Sequence, residues 1–389
     1  MIRILHFGFD TNLLMPEDPG NEGQFRQMQY CRHIGMQKIS IILNQDCSLN
    51  GRIFMGGQLQ TVSACAHGTR RQIIKAYKIA ATLIRKFTPD LVEYQDPMMT
   101  GIPAFLIARR LGVPLIGGIF NDSLDNPYWI GKSVIRRIYN IIGRFIIRHS
   151  LKVRCDSRQI ASQLNLKGYT RVRYIPFYIP WLERFSVTEE TIRKRLATWK
   201  EKPIVLCVAR LAEEKNLPLL LHAFARVREE LGRGNLVIVG DGPLRDLLIA
   251  QSVELGIASC TTWVGSLPYL ALPEYYQNAH IFALSSNLET SPRVLILAQA
   301  ARLPAVSTAT PGSGHIIKDG KTGILTPIGD KSAFSRALKI LLTDDGLYQN
   351  MVLSGERYEW NQHGEAVLEQ LREFYSVKRA DISNQQDLR

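Results

Sequence analysis

One alternation, run twice along the chain, limits its fold more than any other feature. Short apolar runs alternate with amphipathic stretches, and few residues separate them. In the first half IRILHFG, KISIILNQ, DLVEYQ and PLIGGIF have strand patterning. Between them NEGQFRQMQYCRHIG, TRRQIIKAYKIAATLIRKF and GIPAFLIARRLG carry apolar residues at helical spacing. Strands joined through helices pair in parallel, so the pattern predicts an α/β domain with helices on both sheet faces. The stretch VRYIPFYIPWLERF (172–185) breaks the rhythm with two prolines and is predicted to be an extended linker. A second run follows. PIVLCVARL, NLVIVGDG, CTTWVG, HIFALSS and PAVSTAT are its strands, and helices separate them. The organisation predicted is two Rossmann-like domains, 1–185 and 186–357, a last amphipathic helix within 358–377, and a frayed tail, 378–389. Ligands bind at the carboxyl ends of the strands in such sheets, and two such domains facing one another would make a central cleft.

Charge divides the chain more sharply than composition does. Residues 1–180 hold 24 Lys and Arg against 11 Asp and Glu, whereas 181–389 hold 24 of each. The whole net charge of +13 therefore belongs to the first part. Anionic lipid, a phosphorylated acceptor and nucleic acid are the candidate partners, and a merely solubilising excess is the plain alternative. The six cysteines form no C-x-x-C pair and the histidines no metal-binding spacing. They are expected to be buried and reduced, in a cytosolic protein without a structural metal. The opening MIRILHFGF is already a strand pattern, so no signal peptide is expected, and no apolar run is long enough to span a bilayer.

Several constellations could carry chemistry. In CVARLAEEKN, Arg210 and Lys215 follow a strand end, where a guanidinium and an ammonium suit a diphosphate; a solvated pair beside Glu213 and Glu214 is the alternative. In VIVGDGPLRD, Gly240 and Gly242 permit close backbone approach to a ligand, or merely a tight turn. In SSNLETSPRVLILAQAARLP, Glu289 stands at a strand end, where a carboxylate can accept hydrogen bonds from sugar hydroxyls. The amides of Ser291, Arg293 and Val294 open the next helix, and Pro292 stiffens the loop; a plain cap by Thr290 or Ser291 is the alternative. In the first domain PGNEGQFRQ brings Gly20, Gly23 and Arg26 after the first strand, in a pattern that is not G-x-G-x-x-G and disfavours NAD. Asn121 and Asp122 end another strand and are the polar residues best placed to face a cleft, or an Asx turn. Finally, residues 130–148 combine Ile130, Val134, Ile135, Ile138, Ile141, Ile142, Phe145 and Ile146 at helical spacing with Lys132, Arg136, Arg137, Arg144 and Arg148. Such a helix either packs its apolar side on the core or lies on an anionic bilayer.

Taken in order, VARLAEEKN, LVIVGDGPLRD, WVG, FALSSNLETSPRVLILAQAARLPAVST, DGKTGILTP and YEW resemble the C-terminal half of the retaining glycosyltransferases of family four, the group 1 glycosyl transferases. The resemblance covers roughly 200–377; DLVEYQD and GVPLIGGIFND support the other half through layout. It implies the GT-B fold and a hexosyltransferase-type enzyme that moves a sugar from a UDP- or GDP-linked donor to a hydroxyl, without a metal or other cofactor. By this resemblance Arg210 and Lys215 grip the diphosphate and Gly240, Gly242 and Gly265 border the nucleotide. Glu289, with Thr290, Ser291, Pro292, Arg293 and Val294, holds the sugar and phosphates, and Gly23, Arg26, Asn121 and Asp122 face the acceptor. A glycan or lipid-linked acceptor is implied, in cell-envelope polysaccharide or glycolipid synthesis. Nucleic acid is disfavoured as a partner, and a cytoplasmic or peripheral location at the inner face of the plasma membrane is implied. Three positions depart from the family pattern. The second acid, eight residues after the first, is Leu297; the usual first-domain histidine is Asn121; and the late Gly-Gly-x-x-Glu loop is PGSGH, with His315 in the acid's place. The second reading is therefore a protein of this fold that has lost catalysis and acts as a binding partner or regulator.

Overall fold

The structure is a computed structural model that describes residues 1–18, 20–49, 51–120, 123–131, 133–354 and 363–376. The chain forms two compact units, Met1–Pro180 with Gln362–Arg389, and Trp181–Asn361.

The first unit is built on eight strands: β1 (Ile2–Gly8), β2 (Met36–Ile42), β3 (Arg52–Met55), β4 (Leu59–Ser63), β5 (Leu91–Tyr94), β6 (Leu115–Ile119), β7 (Lys152–Cys155) and β8 (Val172–Tyr174). Their order across the sheet is β3-β4-β2-β1-β5-β6-β7-β8. All neighbours are parallel except β3 and β4, a hairpin turned by Gly56 and Gly57, both at positive φ. Helices start and stop where the sequence supplies caps. Asn21, Ser133 and Ser157 accept first-turn amides, and Gly35 and Gly112 end helices in the left-handed conformation. Alternate residues of β1 enter different cores. Ile4 packs with Cys31 and Ile34 of the helix Glu22–Ile34 and with Leu371 and Phe374 of the helix His363–Tyr375. Leu5 and Phe7 pack on the opposite face with Ala76, Ala104 and Ile107.

The second unit has six strands, all parallel: β9 (Ile204–Val208), β10 (Asn235–Val239), β11 (Thr261–Gly265), β12 (Ile281–Leu284), β13 (Ala305–Thr308) and β14 (Gly323–Thr326). Their order is β11-β10-β9-β12-β13-β14. Val205, Cys207, Ile238 and Ile281 face the helices Leu217–Leu231 and Lys331–Thr343 through Leu220, Phe224, Leu338 and Leu341. On the other face Phe282 stacks on Tyr276 at 5.5 Å.

Two expectations are corrected. The stretch 172–185 is not wholly linker: Val172–Tyr174 is the edge strand β8 and Leu182–Phe185 a 3-10 turn. Pro176, which lacks an amide hydrogen, follows closely on that strand. Arg154 fixes the following backbone by donating to the carbonyls of Ile175 (2.9 Å) and Pro176 (2.5 Å). Nor are all cysteines reduced. Cys47 and Cys65 form a disulfide, brought to a Cα separation of 5.4 Å at either end of the segment that contains the β3–β4 hairpin. Cys31, Cys155, Cys207 and Cys260 are buried thiols.

A buried polar network crosses the first sheet. Lys38, only 2% exposed, forms an ion pair with Glu93 Oε2 at 2.8 Å and donates to Gln27 Oε1 at 3.1 Å. Tyr375 donates its hydroxyl to the other Glu93 oxygen at 2.5 Å. His6 Nδ1 lies 3.1 Å from Ser40 Oγ. Burial, then the Lys38 charge, lowers His6 to about 3. Burial alone would raise the Glu93 carboxyl, but Lys38, then His6 and the hydrogen bonds, hold it at about 2.

Both groups bind protons less readily folded than unfolded, so both stabilise the fold above their unfolded pKa and lose that contribution as pH falls. For His6 the window runs from about 6.5 down to about 3, and for Glu93 from about 4.5 down to about 2. Urea midpoints are expected to decline below pH 6.5, and His6→Asn to flatten the upper limb while leaving the lower one. Tyr375→Phe removes one donor from a buried carboxylate and is expected to cost about 1–3 kcal/mol in urea unfolding at pH 7. An unchanged midpoint would discount the network.

Candidate functional site

Parallel strands need crossovers, and the direction of crossing reverses once in the second sheet. From β9 the chain proceeds outward through β10 and β11, then returns to lay β12 against the other side of β9. The loops leaving β9 and β12 therefore diverge from adjacent strand ends, the arrangement in which open α/β sheets bind ligands.

These two loops are stitched together. Asn287 donates its amide to the Glu214 carbonyl at 2.8 Å, and Ser285 Oγ donates to the Lys215 carbonyl at 3.0 Å. Asn216 Nδ2 reaches Asn287 Oδ1 at 3.0 Å. Asn216 adopts φ 44°, a left-handed conformation that asparagine tolerates, and ends the turn Glu213–Lys215 where the helix Leu217–Leu231 begins.

The stitching aims two charges at each other. Lys215 Nζ donates to Glu289 Oε1 at 2.6 Å, and Ser286 Oγ donates to the same oxygen at 2.8 Å. The side chains are 21% and 12% exposed, so the pair is mostly withdrawn from water yet open to a ligand. Lys215 has three donors and uses one on Glu289, and the carboxylate keeps unused lone pairs. Arg210, five residues before Lys215, is exposed and ion-paired with Glu214.

The glycines have a common use. Gly240, at φ 139°, donates to the Gly265 carbonyl at 2.8 Å, and a Cβ on it would stand 1.9 Å from the Ala209 carbonyl oxygen. A Cβ on Gly242 would stand 2.5 Å from the Leu211 carbonyl oxygen. Both let the loop after β10 press against the loop that carries Arg210. Gly312 does the same below Glu289: its amide donates to the Glu289 carbonyl at 3.0 Å, and a Cβ would meet Pro292 and Thr290.

The helix Arg293–Ala300 starts from Pro292, which offers it no side-chain cap hydrogen bond. Ser291 and Val294 are half-buried, Pro292 is buried and Arg293 exposed. Leu297 is core, and Gln299 is buried with its amide on the Thr322 carbonyl at 3.4 Å. Neither supplies a carboxylate. His315 is half-buried in the short helix Ser313–Ile316.

The first sheet reverses between β1 and β5. There Gln95 Oε1 accepts the Phe9 amide at 2.7 Å. Arg26, buried, pairs with Glu22 and lies 3.6 Å from Asp10, and its guanidinium stacks 5.3 Å above Phe177. Its positive charge is thus neutralised from within, opposed by burial and held by Glu22 and Asp10. Gly23 keeps Asp10 close, since a Cβ there would stand 3.0 Å from its carboxylate. Gly20 donates to Asp18 Oδ1 at 2.8 Å. Asn121 and Asp122 lie outside the described residues, as does YEW at 358–360. Sequence reasoning missed Ser286, Asn216, Asn287 and Asp10; polar residues directly after a buried strand were the available signal. Among the described residues no cluster of His, Cys, Asp or Glu could hold a metal, and no helix is long and apolar enough to cross a membrane.

Residues 188–357 match the glycosyl transferases group 1 and residues 54–178 the glycosyl transferase 4-like domain. The chain belongs to the group 1 glycosyltransferases. Among relatives, an alpha-monoglucosyldiacylglycerol synthase of Streptococcus pneumoniae is 25% identical over 82% of this chain and 73% of its own length. This glycosyltransferase also shares its fold with solved structures. The sucrose-phosphate synthase of Thermosynechococcus elongatus superposes with a TM-score of 0.75 at 17% identity, covering 100% of this chain and 98% of that one. HepE of Anabaena, solved with UDP-glucose, does so with 0.71 at 14% identity, covering 96% and 99%. The fold is GT-B.

Gly240→Ala places a methyl against a carbonyl and forces an L-residue to a strained φ. It is expected to cost at least about 3 kcal/mol in urea unfolding, whereas Gly314→Ala, where a Cβ meets nothing within 4 Å, stays within about 0.5 kcal/mol. Equal effects would show that Gly240 does not hold the two loops together.

Proposed function

We propose that this glycosyltransferase is a retaining hexosyltransferase. It moves a sugar from a UDP- or GDP-linked donor to a hydroxyl of a glycan or lipid-linked acceptor, in cell-envelope polysaccharide or glycolipid synthesis. The observation that carries the reading is the Lys215–Glu289 pair at the point where the second sheet reverses. A donor presents one anionic and one hydroxylated part side by side, and the pair presents one cation and one acceptor side by side. The naming of a relative as a glycolipid synthase and the UDP-glucose complex of a structural neighbour support the choice of substrates.

In this reading Lys215 donates to the diphosphate while Glu289 accepts from sugar hydroxyls. Arg210 exchanges Glu214 for a phosphate oxygen. The amides that open Arg293–Ala300 and the Gly240 and Gly265 turns lie along the nucleotide. The bond between anomeric carbon and phosphate oxygen breaks, and the negative charge that grows on the diphosphate is met by two fixed cations. The acceptor oxygen bonds to the anomeric carbon on the same face, and its proton passes to the departing phosphate oxygen. The cations take the part that a metal plays elsewhere, so no metal or other cofactor is needed. Leu297 offers the ribose no carboxylate, and ribose contacts fall to backbone. The first unit takes the acceptor near Gly23, Arg26, Asn121 and Asp122, and its basic surface meets an anionic membrane at the cytoplasmic face.

Calorimetric titration with UDP, GDP and their hexose conjugates in the presence of EDTA tests this. Lys215→Ala and Arg210→Ala are each expected to weaken nucleoside-diphosphate binding about 10–100-fold, the worth of a charge-assisted hydrogen bond. Glu289→Gln should spare that affinity and lower turnover of the bound donor about 100-fold or more. If no donor binds at millimolar concentration, the fold serves a protein that has lost catalysis.

A further inference from the structure

The helix Val134–Arg148 buries Ile146 and Ile147 but leaves a longer apolar row outside the core. Val134, Ile135 and Ile141 are 64–66% exposed, Ile138 52% and Phe145 45%. Its buried side is instead Asn140, Gly143, Ile146 and Ile147. At 100° per residue Val134, Ile138, Ile141 and Phe145 fall within an arc of about 60° on the outward face, and Arg137, Arg144 and Arg148 form a second row directly beside it. The sequence pattern was therefore amphipathic with its apolar side turned away from the core.

The surroundings extend the surface. The helix packs beside Gly101–Leu111, which in turn packs beside Thr69–Leu83. Phe105 meets Phe145 edge-on at 5.4 Å, and Leu106 is 47% exposed. These three helices contain ten Lys and Arg and no Asp or Glu. Beside the helix Val134–Arg148, Asp125 has a 6% exposed side chain and is already paired with Arg144 at 2.6 Å and Lys167 at 3.6 Å.

We propose that the outward face of Val134–Arg148 inserts its apolar row into the headgroup boundary of an anionic bilayer while its arginine row stays at the phosphates. The proposal deepens the membrane contact in the reading above, adding a defined face and partial insertion. Two copies of this face would bring like charges together, which argues against self-association. Nucleic acid has no use for the apolar row. An anionic bilayer uses both rows at once, since an in-plane helix buries its apolar side about 5–10 Å deep and gains roughly fivefold in binding for each basic residue near the surface.

Co-sedimentation with vesicles of equimolar phosphatidylglycerol and phosphatidylcholine, against phosphatidylcholine alone, is the test. The protein is expected to be retained by the first, less as salt rises, and little by the second. Ile138→Glu/Ile141→Glu should reduce retention tenfold or more, and Arg137→Gln/Arg148→Gln about tenfold or more, each with an unchanged melting temperature. Ile141→Trp should shift its emission to the blue on vesicles and be quenched by brominated chains, which headgroup contact alone does not produce. No retention at low salt, equal retention of the glutamate variant, or a dimer that the glutamate variant dissociates would each overturn the proposal. Nucleoside-diphosphate affinity measured in parallel separates the two readings. Its absence with vesicle binding intact removes the catalytic reading and leaves this one.

Discussion

Parallel strands cannot be joined by tight turns, and much of this molecule follows from that constraint. Apart from β2 and β4, which are joined through the antiparallel β3, the parallel neighbours that follow one another in the chain are connected through helices, so most loops at the carboxyl edge end in a helix start. Where the crossings reverse, two loops leave adjacent strands in opposite directions. In the second unit those are the loops after β9 and β12, and the side chains they carry converge on one ion pair. Gly240, Gly242 and Gly312 are consequences of the same convergence, because loops this close leave no room for a Cβ.

The first unit uses the same topology for a different end. At its reversal the charges satisfy one another: Arg26 lies between Glu22 and Asp10, and Gln95 closes on a backbone amide. Deeper in, buried Lys38 pairs with the largely buried Glu93, with Gln27 on the lysine and Tyr375 on the carboxylate. Losing one member of such a pair is costly because the other remains in a dry interior. The positive charge of this unit is instead concentrated on the helices Thr69–Leu83, Gly101–Leu111 and Val134–Arg148, which contain no Asp or Glu.

Much of the architecture was legible in the sequence because its signals are local. The periodicities of KISIILNQ and LPLLLHAFARVREELG, and the glycines after Ile34 and Leu231, mark strands, helices and helix ends without reference to anything distant. What escaped depends on distant partners. The β3–β4 hairpin and the three-residue β8 are too short to show a period, and the Cys47–Cys65 bond depends on how that hairpin folds back. Lys215 and Glu289 were each singled out, but 74 residues separate them and only the strand order makes them neighbours. The amphipathic pattern of Val134–Arg148 was plain, yet periodicity fixes only that two faces differ. The inward face carries Gly143, which lies against Met98 and Leu124, and Asn140, which is hydrogen-bonded to Asp125.

The helix His363–Tyr375 supplies Val367, Leu371 and Phe374 to the core beneath β1 and a hydroxyl to Glu93. During synthesis β1 is made before Trp181–Asn361 and this helix after it. The second unit, continuous in the chain, can therefore complete itself while the earlier-born one still lacks a wall. Until that wall arrives the nascent first sheet must keep an apolar face and a half-paired carboxylate in water, which makes the last helix the step that ends its exposure to proteases and chaperones.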